Sequence, residues 1–198
     1  MGREPAHFVP QPKGLSYTRS TPPELSQGNA ALCWATSLQS WLKVMVHDKG
    51  EKDGVWDTEA DRRAGIYGTP WRRKEMTLKN MLSQWGDLTN QDHSLTPDGI
   101  KVVAIDVGMG GDRLRPPQFT AEYARLKLTM LSHLYVLYFS FHMYHAIVVY
   151  GFEAMPGKTL ELLVMDPADG QGLTRRSIDF FQAPNRVGQP MFVGWALP

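Results

Sequence analysis

The chain has 198 residues, which suits one domain of ordinary size, and 42% of them are apolar, enough to bury a core without metals or crosslinks. Its 21 basic and 20 acidic residues leave a net charge of +1, which points to neither nucleic acid nor an anionic membrane as a partner. The single cysteine, Cys33, excludes an internal disulfide and any zinc site built on cysteines, so the fold must stand on packing.

Residues 1–26 hold five prolines and little periodicity. Proline fixes φ and lacks an N–H donor, so this stretch reads as an extended arm over the surface, outside a single domain spanning 27–198. Met1-Gly2-Arg3-Glu4-Pro5 is not followed by an apolar run, so the expectation is synthesis in a reducing cytoplasm without a Sec signal. Gln27-Gly28-Asn29 then punctuates the chain. Apolar residues at 31, 34, 35, 38, 41, 42 and 45 predict a helix over 30–46, with Asn29 as its N-cap. The charged stretch 47–75 is expected to form short helices and loops, and apolar residues at 78, 81, 82 and 85 predict a helix over 76–85. Residues 97–107 suit helix and strand alike, because Val102, Val103, Ile105 and Val107 fit both. Pro116-Pro117 breaks the chain, and Thr120 opens a further helix to about residue 131.

The second half changes character. Residues 133–141, 146–152, 160–165 and 191–196 are short runs rich in Val, Tyr, Phe and Leu, all strand-like, with Ala154-Met155-Pro156-Gly157-Lys158 as a turn. Helices first and a mostly antiparallel sheet afterwards make an α+β fold, with 27–131 the mainly helical half and 132–198 the mainly β half. The longest apolar runs are too short to span a bilayer. Gly108-Met109-Gly110-Gly111 is not a phosphate loop, because no Lys-Ser/Thr follows it. The basic residues Arg62, Arg63, Arg72, Arg73 and Lys74 read as a solvated face.

Cys33 falls in the first turn of the first long helix. Unpaired N–H groups and the helix dipole favour negative charge there, and the thiolate is the attacking form of a cysteine. Such a cysteine needs a base, and His133, His142 and His145 are the candidates. His142 and His145 are an odd number of residues apart, so on one strand they point to opposite faces. His145 is preferred because it begins the run His-Ala-Ile-Val-Val-Tyr-Gly-Phe, where a base at a strand end is well held yet reachable. An imidazole needs an acceptor behind it to present the right nitrogen. Asp166, at the end of the strand that returns by a hairpin, is placed for this, with Asp169 in reserve. Gln27, six residues before Cys33, has a side-chain amide that could join the backbone N–H of Cys33 in holding an oxyanion.

Gln27-Gly28-Asn29-Ala30-Ala31-Leu32-Cys33-Trp34-Ala35-Thr36-Ser37 resembles the nucleophile segment of papain-superfamily cysteine peptidases. Those enzymes carry an oxyanion-hole Gln six residues before the catalytic Cys and a Trp directly after it. His145-Ala146-Ile147-Val148-Val149-Tyr150-Gly151-Phe152 resembles the family's His segment, and Asp166-Pro167 the third position, which holds Asn or Asp. The resemblance covers about a quarter of the chain, and 47–118 has no counterpart in it. It departs from papain itself in lacking the Cys-Gly-Ser run before the nucleophile, and is nearer the small disulfide-free bacterial branch that includes effectors and toxins. The resemblance implies a papain-like α+β fold with a cleft between the halves and a thiol protease acting on a protein substrate through Cys33, His145 and Asp166, with Gln27 at the oxyanion. It further implies no metal or organic cofactor, and control by export, an inhibitor or immunity protein, or a larger precursor. Transglutaminase, deamidase or peptidoglycan amidase chemistry on the same residues is the alternative, and a silent binding module a further one. The transglutaminase His segment carries Trp two residues on, where this chain has Ile147.

Overall fold

The structure, a computed structural model, describes residues 14–27, 32–48, 96–106, 109–140, 143–168, 171–183 and 189–196. In chain order these form β1 (Leu15–Thr18), α1 (Cys33–Asp48), α2 (Pro97–Asp106), β2 (Met109–Leu114), a 3-10 turn (Pro116–Gln118), α3 (Ala121–Met130), β3 (Leu134–Ser140), β4 (Met143–Ala154), β5 (Glu161–Asp166), β6 (Gly172–Ser177), α4 (Ile178–Phe181) and β7 (Met191–Ala196). The strands make one antiparallel sheet in the order β2-β7-β3-β4-β5-β6, with β1 added to β4. Helices on an antiparallel sheet are the α+β arrangement expected. Helix α1 takes in His47 and Asp48, the first two residues of the stretch 47–75; the rest of that stretch with its basic residues, the expected helix over 76–85 and the Asn29 cap lie outside the described residues.

Alternation along the central strands builds two cores. Tyr135 and Leu137 of β3, Ala146 and Val148 of β4, Met165 of β5 and Phe192 of β7 pack on Trp34, Leu38, Trp41 and Leu42 of α1. Their strand neighbours Val136, Tyr138, Ile147, Val149, Val164 and Val193 face the other way, onto Phe119, Leu128 and Phe181. Strands buried on both faces read as unbroken apolar runs, which is why β3, β4, β5 and β7 stand out in the sequence. Leu38 is fully buried at the centre of the first core. Leu38→Ala is expected to cost about 3 kcal/mol through lost burial and a residual cavity; urea unfolding checks this as a lower midpoint at unchanged slope.

The structure departs from the sequence expectation chiefly at the sheet edges. Strands β1, β2 and β6 were not expected. Their sequences, Leu-Ser-Tyr-Thr, Met-Gly-Gly-Asp-Arg-Leu and Gly-Leu-Thr-Arg-Arg-Ser, are short and largely polar, glycine-rich or charged, as edge strands are. Where β2 meets β7 two glycines have a packing reason. Gly111 sits opposite Gly194 of β7, and a Cβ on Gly111 would strike the Phe192 ring while one on Gly194 would strike the Met109 sulfur. β2 also places a strand within the half expected to be mainly helical. Within the extended arm expected over 1–26, β1 pairs with residues 151–154 of β4, beyond the point where β3 ends. Ser40 of α1 donates to the Pro23 carbonyl at 2.7 Å, and Arg19 donates to the Leu128 carbonyl at 2.6 Å.

The ambiguous stretch at 97–107 is the helix α2. Thr96 accepts from the Gly99 N–H at 3.2 Å and Pro97 occupies the first helical position, where a missing N–H is harmless. The β4–β5 connection is a turn in which the Lys158 N–H donates to the Met155 carbonyl at 3.1 Å. Gly157 has φ +72°, the left-handed value a type II turn requires there, and Pro156 before it supplies the fixed φ such turns favour.

Candidate active site

Helix α1 begins later than periodicity suggested. The Leu32 carbonyl accepts the first helical bond, from the Thr36 N–H at 2.9 Å, so Cys33 is the first residue of the helix. Its N–H lies outside the helical ladder, at the positive end of the dipole. Side chains just behind it fasten this end to the sheet. Ser37 donates to the Ala146 carbonyl at 2.8 Å, and the Tyr135 hydroxyl donates to the Trp34 carbonyl at 3.2 Å. Trp34 itself is buried in the core behind Cys33.

Strand β4 runs past its neighbour on one side. β5 pairs with it from Glu153 to Val148 and stops, leaving residues 143–147 of β4 beyond the end of β5. The head of α1 and the last residue of β5, Asp166, meet in this notch. The Cys33 thiol donates to the Tyr144 carbonyl at 3.8 Å, and the same thiol is a hydrogen-bond neighbour of the His145 imidazole. His145 Nε2–H donates to Asp166 Oδ1 at 2.7 Å, which leaves Nδ1 as the ring nitrogen available to the thiol. Strand alternation by itself sets His145 on the face opposite α1, with Ile147, Val149 and Tyr138, whose ring it meets edge-on at 5.7 Å. Thiol and imidazole meet at the strand end, where β5 no longer separates the two faces.

The electrostatics follow from this enclosure. Burial by itself would lower the His145 value. The hydrogen bond to Asp166, the thiol of Cys33 and the charges of both outweigh it and raise the imidazole to about 9. Burial would raise Asp166, yet its carboxyl is held below the ordinary carboxylate value by the hydrogen bond and charge of His145, the Ala168 N–H and the charge of Arg176. Asp166 Oδ1 also accepts from the Ala168 N–H at 3.1 Å, and Oδ2 accepts from Arg176 Nη2 at 3.1 Å.

The structure thus brings Cys33, His145 and Asp166 together. Gln27 joins them through its backbone: its N–H donates to the Pro167 carbonyl at 2.9 Å, beside Asp166. Its Oε1 is buried with no hydrogen-bond partner among the described residues. His133 stands apart. It is fully buried, with Nε2–H donating to the Ser20 carbonyl at 2.6 Å, and burial holds it below the ordinary imidazole value. His142 and Asp169 lie outside the described residues. Sequence reasoning missed Arg176, whose only signal was a pair of arginines in a polar stretch, uninformative until the register of β6 is known. Two clefts flank the notch. Tyr144 lines one with Leu137, Arg113 and Lys101, and Asp166 lines the other with Glu24, Ser26 and Gln171. Among the described residues, no helix is long and apolar enough to cross a membrane.

No family model matches this chain, and no curated protein does. Among solved structures, the peptidase domain of Streptococcus ComA, a bi-functional ABC transporter involved in a quorum sensing pathway, aligns over 83% of this chain and 91% of that one, at 14% identity and a TM-score of 0.39.

Proposed function

We propose that this chain is a papain-like cysteine hydrolase that cleaves peptide bonds in a protein substrate. One observation carries the reading: a single imidazole lies between a thiol at a helix head and a buried carboxylate, with Nε2 committed to Asp166 and Nδ1 left for Cys33. That order of groups is what acyl transfer by a thiol needs.

In this reading Nδ1 of His145 takes the thiol proton, and the Cys33 thiolate attacks the scissile carbonyl carbon. The carbonyl electrons move onto oxygen, where the Cys33 N–H and the Gln27 side-chain amide stabilise them. The imidazolium, held by Asp166, gives its proton to the leaving nitrogen as the C–N bond breaks, and an amine departs. His145 then removes a proton from water, which attacks the thioester; the acid leaves and the thiol is restored. An effector or toxin role, with an inhibitor protein as partner, is what the family resemblance adds to this proposal.

Incubation of the protein with a cellular proteome, compared with Cys33→Ala, tests the reading. New N-termini that depend on Cys33 are expected. Mass shifts at glutamine without new termini would place the same residues in a transglutaminase or deamidase instead. Cys33 alkylating no faster with iodoacetamide than a free thiol would end the catalytic reading.

A further inference from the structure

We propose that Arg176 is a positioning residue for the His145–Asp166 pair, an inference that rests on the catalytic reading: its guanidinium fixes the rotation of the Asp166 carboxylate and so presents Oδ1 to the imidazole. The register of β5 and β6 sets Asp166 opposite Gly172 and Leu162 opposite Arg176. Alternation therefore puts the Arg176 side chain on the face of Asp166, and it reaches back along the strand to the carboxylate. There each carboxylate oxygen has its own donors. Oδ1 takes His145 at 2.7 Å and the Ala168 N–H at 3.1 Å, while Oδ2 takes Arg176 at 3.1 Å.

The guanidinium is itself held in place. The same Nη2 donates to Gln171 Oε1 at 2.9 Å, Nη1 donates to the Arg175 carbonyl at 3.3 Å, and the group lies 5.5 Å over the Phe180 ring. A planar, permanently charged fork keyed at several points is suited to orienting a carboxylate. Asp166 is only 4% exposed, so without Arg176 its Oδ2 would be a buried charge lacking a donor. The carboxylate would then rotate or take up a proton, and its bond to His145 would weaken. Arg175, the adjacent arginine, is not placed to substitute, because it is turned to Glu153, at 2.8 Å. Among the described residues, Cys33 of α1, Tyr138 of β3 and Glu24, which lines a cleft with Asp166, are the other titratable groups around the pair. The hydrogen bonds of Arg176 go to Asp166, Gln171 and the Arg175 carbonyl, so the bonded route from its guanidinium to the imidazole runs through Asp166.

The test is an NMR titration of the His145 ring, assigned with His145→Gln, in the full chain. Circular dichroism on each variant establishes folding, and iodoacetamide alkylation of Cys33 is measured in parallel. Arg176→Met is expected to lower the His145 midpoint by about one pH unit or more, and Arg176→Lys to restore most of the difference. In an Asp166→Asn background the same Arg176→Met change is expected to shift nothing further, as a route through Asp166 demands. An unchanged midpoint in Arg176→Met, or an equal shift in both backgrounds, overturns the proposal. Should Arg176→Met not fold, Arg176→Gln is read by the same criteria. A wild-type Cys33 that alkylates like a free thiol marks failure of the catalytic reading instead. Rapid wild-type alkylation beside an unmoved Arg176→Met midpoint marks failure of this inference alone.

Discussion

Cys33→Ala is expected to lower amide hydrolysis by roughly 10⁴-fold or more, since removing a nucleophile leaves only binding and oxyanion stabilisation. The loss should be this complete because the chain has one cysteine and no second thiol can substitute. A serine in its place should rescue little. A hydroxyl at that position loses its proton far less readily than a thiol, and a base fitted to an imidazolium–thiolate pair gains nothing from it. Cys33 is 7% exposed and its sulfur touches the Tyr144 carbonyl at 3.8 Å, so truncation to alanine also removes some packing. That effect is expected to stay within about 2 kcal/mol, and thermal melting separates it from the catalytic loss. A folded Cys33→Ala protein that keeps hydrolysis within tenfold of wild type would remove Cys33 from the mechanism.

Asp166→Asn is expected to lower activity by about 10²- to 10⁴-fold and to move its alkaline limb downward. The new amide oxygen can still accept from His145 and Ala168, but its NH₂ would then face the Arg176 donor. With the negative charge gone, the main influences raising His145 to about 9 weaken, and the imidazolium that protonates the leaving amine in the proposed mechanism is lost at lower pH. Stability carries the same signature with a defined sign. The raised His145 value contributes fully below the ordinary imidazole value and is lost as pH rises through about 9. The depressed Asp166 value contributes above the ordinary carboxylate value and is lost as pH falls through the folded one. The wild type should therefore exceed Asp166→Asn in stability most between about pH 4 and 6.5, with the difference shrinking toward pH 9. Urea unfolding across that range checks it, and a difference that grows above pH 8 would contradict the assignment.

Much of the fold was legible because burial leaves marks on sequence. β3, β4, β5 and β7 are continuous apolar runs, since both of their faces are covered. α1 showed its helical period, and Thr120 its capping role, accepting from the Tyr123 N–H at 3.1 Å. The edge strands left no such mark. β6 exposes Leu173 and carries two arginines, and β1 is four residues long. Strands of that kind are defined by the partner they lie beside, and a partner's register is not written locally.

The sequence by itself determined which groups could do chemistry: one thiol, at the head of a periodic helix, a histidine opening an apolar strand, and an aspartate where the returning strand ends. Only the tertiary structure decided that they meet. Alternation puts the imidazole and helix α1 on opposite faces of β4, and the two come together because β5 stops at Val148 and opens a notch at the strand end. Pairing length, like the cross-strand reach of Arg176 to Asp166, is set by contacts between segments far apart in the chain, and local periodicity carries no record of those.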